Sequence, residues 1–473
     1  MDTVDTRPIV AVAGAGGFIG RALAEQLGTS AHLRGLSRSA RVGASGGYDS
    51  WVACDLFSLL DAEGALRGAR SAVYLVHSMM PSARLTQGRF EDLDLVCADN
   101  FARAAKSAGL ERIVYLGGLL PPVGVSLSRH LQSRSEVEST LASHGTPLVT
   151  LRAGLVIGPG GSSWQILSKL VRRLPVMACP RWTRTLTQPI GLDEVVALLA
   201  ACVSRGDIEA GTYDVGGPDV LSYRDMMQAT ARAMGKRRPM FSVPLLTVGL
   251  SRLWVSTVTG APKELVEPLI ESLVHPMVAR DRELQARLVI PGRPLAELLA
   301  ETIAAEARTV APKAAPRNGR KAKKRALVRS VQRLGLPPGR DAAWVAEEYI
   351  RWLPTWLIAR VLRIEVDAAK RCRFYAPFSK KPLLELSLSP DRSRPDRVLF
   401  YITGGMLAKL GGRPRLEFRE VIDGSHVIAA IHDFEPRLPW FIYSSTQAIV
   451  HLWVMRAFGR YLARLARNRP SAA

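Results

Sequence analysis

The stretch Ile9-Val10-Ala11-Val12-Ala13-Gly14-Ala15-Gly16-Gly17-Phe18-Ile19-Gly20 decides how the first part of this chain folds. A short, continuous apolar run reads as a strand covered on both faces, and a helical pattern from about Phe18 to Leu27 follows the glycines at once. Gly14 allows a tight turn, Gly17 lets the backbone approach a pyrophosphate, and Gly20 lets the helix pack close to the sheet. The helix start adds unpaired N–H groups and a positive dipole end for the anion. Gly14, Gly16, Gly17, Phe18, Ile19 and Gly20 are therefore the first cofactor-binding candidates.

Outward from this loop, apolar runs alternate with helical patterns: Ala72 to Val76, Val96 to Ala108, Ile113 to Leu116 and Leu148 to Ile157. That alternation indicates an α/β fold, a doubly wound parallel sheet. A second strand, about Leu33 to Leu36, ends in Ser37-Arg38-Ser39, with Arg41 just beyond. The acid that binds a ribose about 20 residues after the glycines is missing, whereas an arginine and two hydroxyls suit a 2'-phosphate. The reading favours NADP over NAD. Asp55 and Leu56, after another short apolar run, are placed beside the adenine. Ligands lie at the carboxyl ends of strands in such a sheet, which adds Val76, His77 and Gly117 to the site.

The 473 residues are 47% hydrophobic and 22% charged, enough to bury more than one core. Lysine and arginine outnumber the acids 64 to 42, a formal net charge of +22, which raises the question of an anionic partner. Five cysteines without a CxxC pair do not make a disulfide framework. The polar opening, Met1 to Pro8, carries no apolar leader, so a cytoplasmic protein is expected. The apolar stretches Phe241 to Gly260 and Trp440 to Gly459 are interrupted by charges, so neither is expected to span a bilayer. Peripheral membrane contact stays open as a reading of the net charge.

Residues 311–330 carry eight Lys or Arg and no acid, which predicts a self-repelling tether. The expected organisation is a nucleotide-binding domain over 1–310 with a substrate-side subdomain, a basic linker over 311–340, and an α+β domain over 341–473. In the last, Leu383 to Ser389, Val398 to Thr403, Arg415 to Val421 and Val427 to Phe434 read as strands. They lie between helical patterns at Trp344 to Leu362 and about Ser444 to Ala463. Basic and aromatic residues occur together, but no recognition-helix, aromatic-sheet or zinc-finger pattern supports specific nucleic-acid binding. HExxH and clustered Cys/His spacing are absent, so no metal site is expected.

Taken together, the glycine loop, LSRS at 36–39, YLVHSM at 74–79, ERIVYLGGL at 111–119, HLQSR at 130–134, LRAGLVIGPG at 151–160, QPI at 188–190 and YDVGGP at 213–218 resemble the extended and atypical short-chain dehydrogenase/reductases. The likeness is to their NmrA-like, NAD(P)H-binding branch and covers about Pro8 to Thr230. It implies a Rossmann-type sheet, with Ser162 to Pro180 and the region after Gln188 on the substrate side. The segments RLEFREVIDG, IAAIHDFEPRLPWFIYSSTQ and HLWVMRAF resemble DUF2867 and START-like domains, which implies a helix-grip fold that often encloses an apolar cavity.

The dehydrogenase resemblance also implies a Ser or Thr after the fifth strand, then a Tyr and a Lys four residues later, which hand a proton to or from oxygen while hydride moves at the nicotinamide. Here those positions are Gly118, His130 and Arg134. His130 is the acid/base candidate because imidazole titrates near neutrality, and Arg134 shares its helix face as a fixed charge for an anion or oxyanion. Arg172, Arg173, Trp182, Arg184 and Gln188 read either as the lining of a cleft for an anionic or aromatic substrate or, for the arginines, as a solvated basic face. The expected function is reduction of a small hydrophobic carbonyl, enone or quinone by NADP(H). The alternative is a non-catalytic, NADPH-binding redox sensor or interaction protein. Substrate identity, reaction direction and oligomeric state are not legible.

Overall fold

A computed structural model describes residues 6–38, 46–77, 85–122, 124–243, 248–260, 262–308, 327–356, 362–422 and 424–467. The chain divides into two compact units: residues 1–80 with 96–317, and residues 81–95 with 318–473. Among the described residues no helix is long and apolar enough to cross a membrane.

The first unit is built on a parallel sheet. Its strands are β1 (Ile9–Ala13), β2 (His32–Ser37), β3 (Ser50–Ala53), β4 (Ser71–Tyr74), β5 (Arg112–Gly118), β6 (Leu148–Ala153) and β7 (Gly211–Val215). They lie in the order β7-β6-β5-β4-β1-β2-β3, every pair parallel. From β1 the chain winds outward through β2 and β3, then returns to the other side of β1 to start β4. That reversal opens a crevice at the carboxyl ends of β1 and β4, where an open α/β sheet receives its ligand. The apolar β1 is covered on both faces. Val10 and Val12 join a core with Leu23, Leu27, Val195 and Leu199, so helices Phe18–Leu27 and Leu192–Ser204 cover that side. Tyr74 and Phe101, whose rings meet edge-on at 5.0 Å, tie the sheet to the helix Phe90–Ser107. This helix begins six residues before the expected Val96, because Glu91 and Asp92 suit its first turn.

The second unit contains a mixed sheet. Its strands run Arg363–Val366, Cys372–Tyr375, Leu384–Leu388, Arg397–Gly404, Arg415–Val421, His426–Pro436, Val328–Gly335 and Leu85–Gln87 in spatial order. All neighbours are antiparallel except the last pair. Two helices, Ala342–Trp352 and Gln447–Arg467, pack on it through Tyr349 and Phe458 against Phe418, with Trp352 against Phe458. The four strands expected from sequence are present, Arg415–Val421 with the expected bounds and the other three with shifted ends. The helix expected to Leu362 stops at Trp352 in a turn containing Pro354, because proline's ring and missing N–H break the ladder.

Two boundaries differ from the sequence reading. Val328–Gly335, which that reading assigns to the 311–340 linker, is a strand whose Val328 and Val331 are buried; its apolar residues Val328, Val331 and Leu334 recur every third position, so no strand-like alternation announces it. Residues 311–326 of that linker lie outside the described residues. Residues 85–87 belong to the second unit's sheet rather than to the first domain, and three residues are too few to announce a strand.

Candidate nucleotide site

Gly14 and Gly20 are held where a side chain cannot go. Gly14 has φ +89°, and a Cβ there would lie 2.9 Å from the Leu75 carbonyl oxygen. A Cβ on Gly20 would lie 2.6 Å from the Gly14 carbonyl oxygen and 2.8 Å from Ala15 Cα. The Gly17 N–H donates to the Gly14 carbonyl at 2.9 Å, which closes the turn. Gly17 itself is exposed and begins the helix without a capping side chain, so the first helical N–H groups face the crevice open. Leu75 N–H donates to Ala13 O at 2.9 Å, which holds the strand-end turns after β1 and β4 together. This bare-backbone cradle at the reversal fits a pyrophosphate.

The flanking residues take varied parts. Phe18 packs its ring against Gly158 and Gly161; a Cβ on either would lie 3.1 or 3.0 Å from it. Ile19 is half-buried against the core of that face. Ser37 closes β2 by accepting the Cys54 N–H at 2.7 Å, and Arg38 just beyond is exposed. Ser39 and Arg41 lie outside the described residues. Asp55 accepts the Phe57 N–H at 3.2 Å, so its carboxylate shapes its own turn. Leu56 is buried, and its carbonyl accepts from Asn100 Nδ2 at 2.7 Å. The sequence reading misses Asn100; its signal is a polar residue on the apolar stripe of the helix that holds it.

At the ends of β4 and β5 the structure brings together residues far apart in sequence. The helix Arg129–Ala142, capped by Ser128 through the Leu131 N–H, presents His130 and Arg134 on one face. Arg134 is buried and its guanidinium donates to Nδ1 of His77, the residue that follows Val76 after β4. The acceptor must be an unprotonated nitrogen, so the proton sits on Nε2 of His77. The rings of His77 and His130 stack with centroids 6.1 Å apart. His77 keeps an exposed surface, yet desolvation of its ring, then Arg134 and His130, hold its pKa well below the ordinary imidazole value. Burial and Arg134 push His130 down to about 3. Gly117 and Gly118 border the group: a Cβ on Gly118 would touch Arg134 Cγ at 3.6 Å. The fully buried Tyr115 lies beneath, its hydroxyl 3.5 Å from the Arg134 carbonyl.

The arrangement corrects the chemical premise for His130. Its imidazole does not titrate near neutrality, because desolvation and an adjacent cation both disfavour the charged ring. It is a neutral hydrogen-bonding group beside a fixed positive charge, suited to an oxyanion or another anion.

The substrate-side residues are engaged differently from the cleft expected for them. Arg172 pairs with Glu306 at 2.9 Å and Arg173 donates to the Val258 carbonyl. The buried Gln188 braces Gly217 and Ala279 at 2.7 and 2.9 Å. Arg184 donates to Ser242 Oγ at 3.3 Å. Trp182 packs edge-on against Tyr223 and lines an apolar cavity of about 100 Å³ with Leu155, Ile166, Met226 and Leu273. Among the described residues no group of three or more His, Cys, Asp or Glu is placed to hold a metal ion.

No family model matches the chain. It is 30% identical over 145 residues to the Auxiliary protein GraX of Staphylococcus aureus, a match covering 30% of this chain and 43% of that protein. The chain spans less than half the length of the curated relatives it matches. Among solved structures it is similar to the NADPH-dependent quinone oxidoreductase QOR2 of Escherichia coli complexed with NADPH, with a TM-score of 0.50, 18% identity, and 62% of this chain covered against 99% of that one. It is also similar to the Citrobacter sp. triphenylmethane reductase complexed with NADP(H), with a TM-score of 0.50, 16% identity and coverage of 62% and 99%. These likenesses show the fold of the first unit, a Rossmann-type architecture.

Proposed function

We propose that the first unit binds NADP(H) and reduces a small hydrophobic carbonyl, enone or quinone. The observation that carries the cofactor reading is the pairing of a bare glycine cradle at the sheet reversal with the exposed Arg38 at the end of β2, where the described stretch 32–38 contains no acid. The structures of similar fold were solved with NADPH and NADP(H), and their names tie those proteins to quinones and triphenylmethane dyes, which supports the substrate class.

When bound, the nicotinamide supplies hydride. The chain's own residues orient and stabilise. Gly14, Gly17 and Gly20 admit the pyrophosphate, and Arg38 pairs with the 2'-phosphate. Arg134 offers a permanent charge to the oxygen that becomes negative, with His77 locked beside it by their hydrogen bond. His130 is neutral at pH 7 and holds that oxygen or a water by hydrogen bonding; water delivers the proton.

A second reading is a sensor that binds NADPH without turning it over. Two observations favour it: Gly118 has no hydroxyl to offer, and His130 is a poor proton donor. One experiment separates them. NADPH is titrated into the protein by calorimetry, then its oxidation is followed with menadione and an α,β-unsaturated aldehyde. Saturable binding with turnover supports the reductase; binding without turnover across the panel supports the sensor. Absence of binding removes both.

A further inference from the structure

The second unit contains a cavity of about 310 Å³ between its sheet and its long helix. Leu384, Leu386, Ile402, Leu416 and Phe434 line it from the strands, and Val450 and Val454 from the helix. Protein cores leave few voids larger than a water molecule, since an empty space forfeits dispersion contacts on every side. A space of this size is in the range of small-molecule sites.

Its polar features are few and specific. Among the described residues no Asp, Glu, Lys or Arg lines it. Gln447, Val450, His451 and Val454 recur at helical spacing, so one face of the helix Gln447–Arg467 lines the cavity. His451 Nε2 lies 3.0 Å from Ser330 Oγ, and burial lowers its pKa to about 4, leaving the ring neutral. Gln447 Oε1 is sealed from solvent and has no hydrogen-bond partner among the described residues. A buried amide oxygen left in this state is costly unless an occupant supplies the donor.

We propose that this cavity binds a neutral, largely hydrocarbon molecule bearing one hydroxyl group, with that hydroxyl hydrogen-bonded to Gln447. A charged group would be buried with no counter-ion, whereas a hydroxyl both donates and accepts and so satisfies a side-chain amide. The way in lies at Thr446 and Val450, which line the cavity and are exposed at the surface. Phe441 and Ile442, in the short helix Trp440–Ser445 that precedes Thr446, and Trp453, in the long helix, are also exposed. An apolar approach of this kind suits an apolar ligand. The site belongs to the second unit and does not rest on the reductase reading of the first.

The full chain is titrated with the neutral dye Nile red, and the bound dye is then displaced with 1-dodecanol or, at pH 8, with dodecanoate. The expected result is saturable dye binding, displacement by the alcohol, and at least tenfold weaker displacement by the carboxylate. Gln447→Leu is expected to weaken dodecanol about tenfold and leave the dye unaffected. Ile431→Trp fills the cavity and abolishes dye binding. Val450→Trp, at an exposed position that tolerates a ring, does the same should the first variant fail to fold, as judged by circular dichroism. No saturable dye binding to the wild type, equal displacement by alcohol and carboxylate, or full dye binding by both folded tryptophan variants would overturn the proposal.

Discussion

Arg134 donates a hydrogen bond to Nδ1 of His77 across 57 positions of sequence, from the helix Arg129–Ala142 to the turn after β4. The contact fixes the tautomer of one residue and the direction of the other. It lies where β4 and β5 end, beside the sheet reversal. Arg134→Met is therefore expected to raise the His77 pKa, because a cation next to the ring is removed. NMR titration of the His77 ring proton measures it; an unchanged midpoint contradicts the coupling.

Arg38→Ala tests the choice of nucleotide. Loss of a charge-assisted pair with a 2'-phosphate corresponds to about 1.5–3 kcal/mol, or more than tenfold in affinity. NADPH binding is expected to weaken by that factor and NADH binding to stay as it was, both read by calorimetry.

Gly20→Ala places a methyl group 2.6 Å from a backbone oxygen and 2.8 Å from a backbone carbon, neither the end of a flexible side chain. Overpacking against backbone costs about 1–3 kcal/mol. A lower Tm together with lost NADPH binding is expected, whereas Gly64→Ala, inside the helix Leu59–Leu66 where a Cβ meets nothing within 4 Å, is expected to keep NADPH binding and to raise Tm slightly.

His130 makes the acid limb of stability steeper. The folded protein protonates this ring only near pH 3, whereas the unfolded chain does so near 6.5. Between those values the unfolded state holds the extra proton, so stability falls as pH drops from about 6.5 toward 3, by at most about 1.4 kcal/mol per pH unit. Denaturant melts of His130→Gln across this window are expected to show a shallower decline, with little change above pH 7.

Glu417 anchors the buried ionic cluster of the second unit. It is almost fully buried, with Arg397 Nε at 2.9 Å and Arg419 Nε at 2.6 Å. Burial opposes its charge, yet Arg419, Arg397, His432 and Arg415 hold its carboxyl well below the usual range. Its contribution is present above the unfolded carboxyl value and disappears as pH falls through the depressed folded one. Glu417→Gln is expected to lose about 3–5 kcal/mol at pH 7 by chemical denaturation, because buried guanidinium groups lose their counter-charge.

The glycine loop is legible in the sequence because its information is local. A strand, a turn and a helix start follow from adjacent residues, and Arg38 sits next to the strand that positions it. The 328–335 strand hides behind a basic run, and residues 85–87 pair with it from about 240 positions away. Asn100 escapes the sequence reading because helix periodicity describes faces, not the loop that a face braces. Position alone puts Asp55 beside adenine, and the structure adds that its carboxylate accepts the Phe57 N–H.

Amino-acid order alone determined the strand–helix alternation of the first unit, the glycine cradle and the absence of an acid after β2, since each is carried by neighbouring residues. Only the tertiary structure decided that His77, His130 and Arg134 meet, that His130 is neutral at physiological pH, and that an apolar cavity with a lone amide oxygen lies inside the second unit. Desolvation, electrostatic coupling and packing defects arise from which distant surfaces come together, and that is a property of the folded chain rather than of any stretch of it.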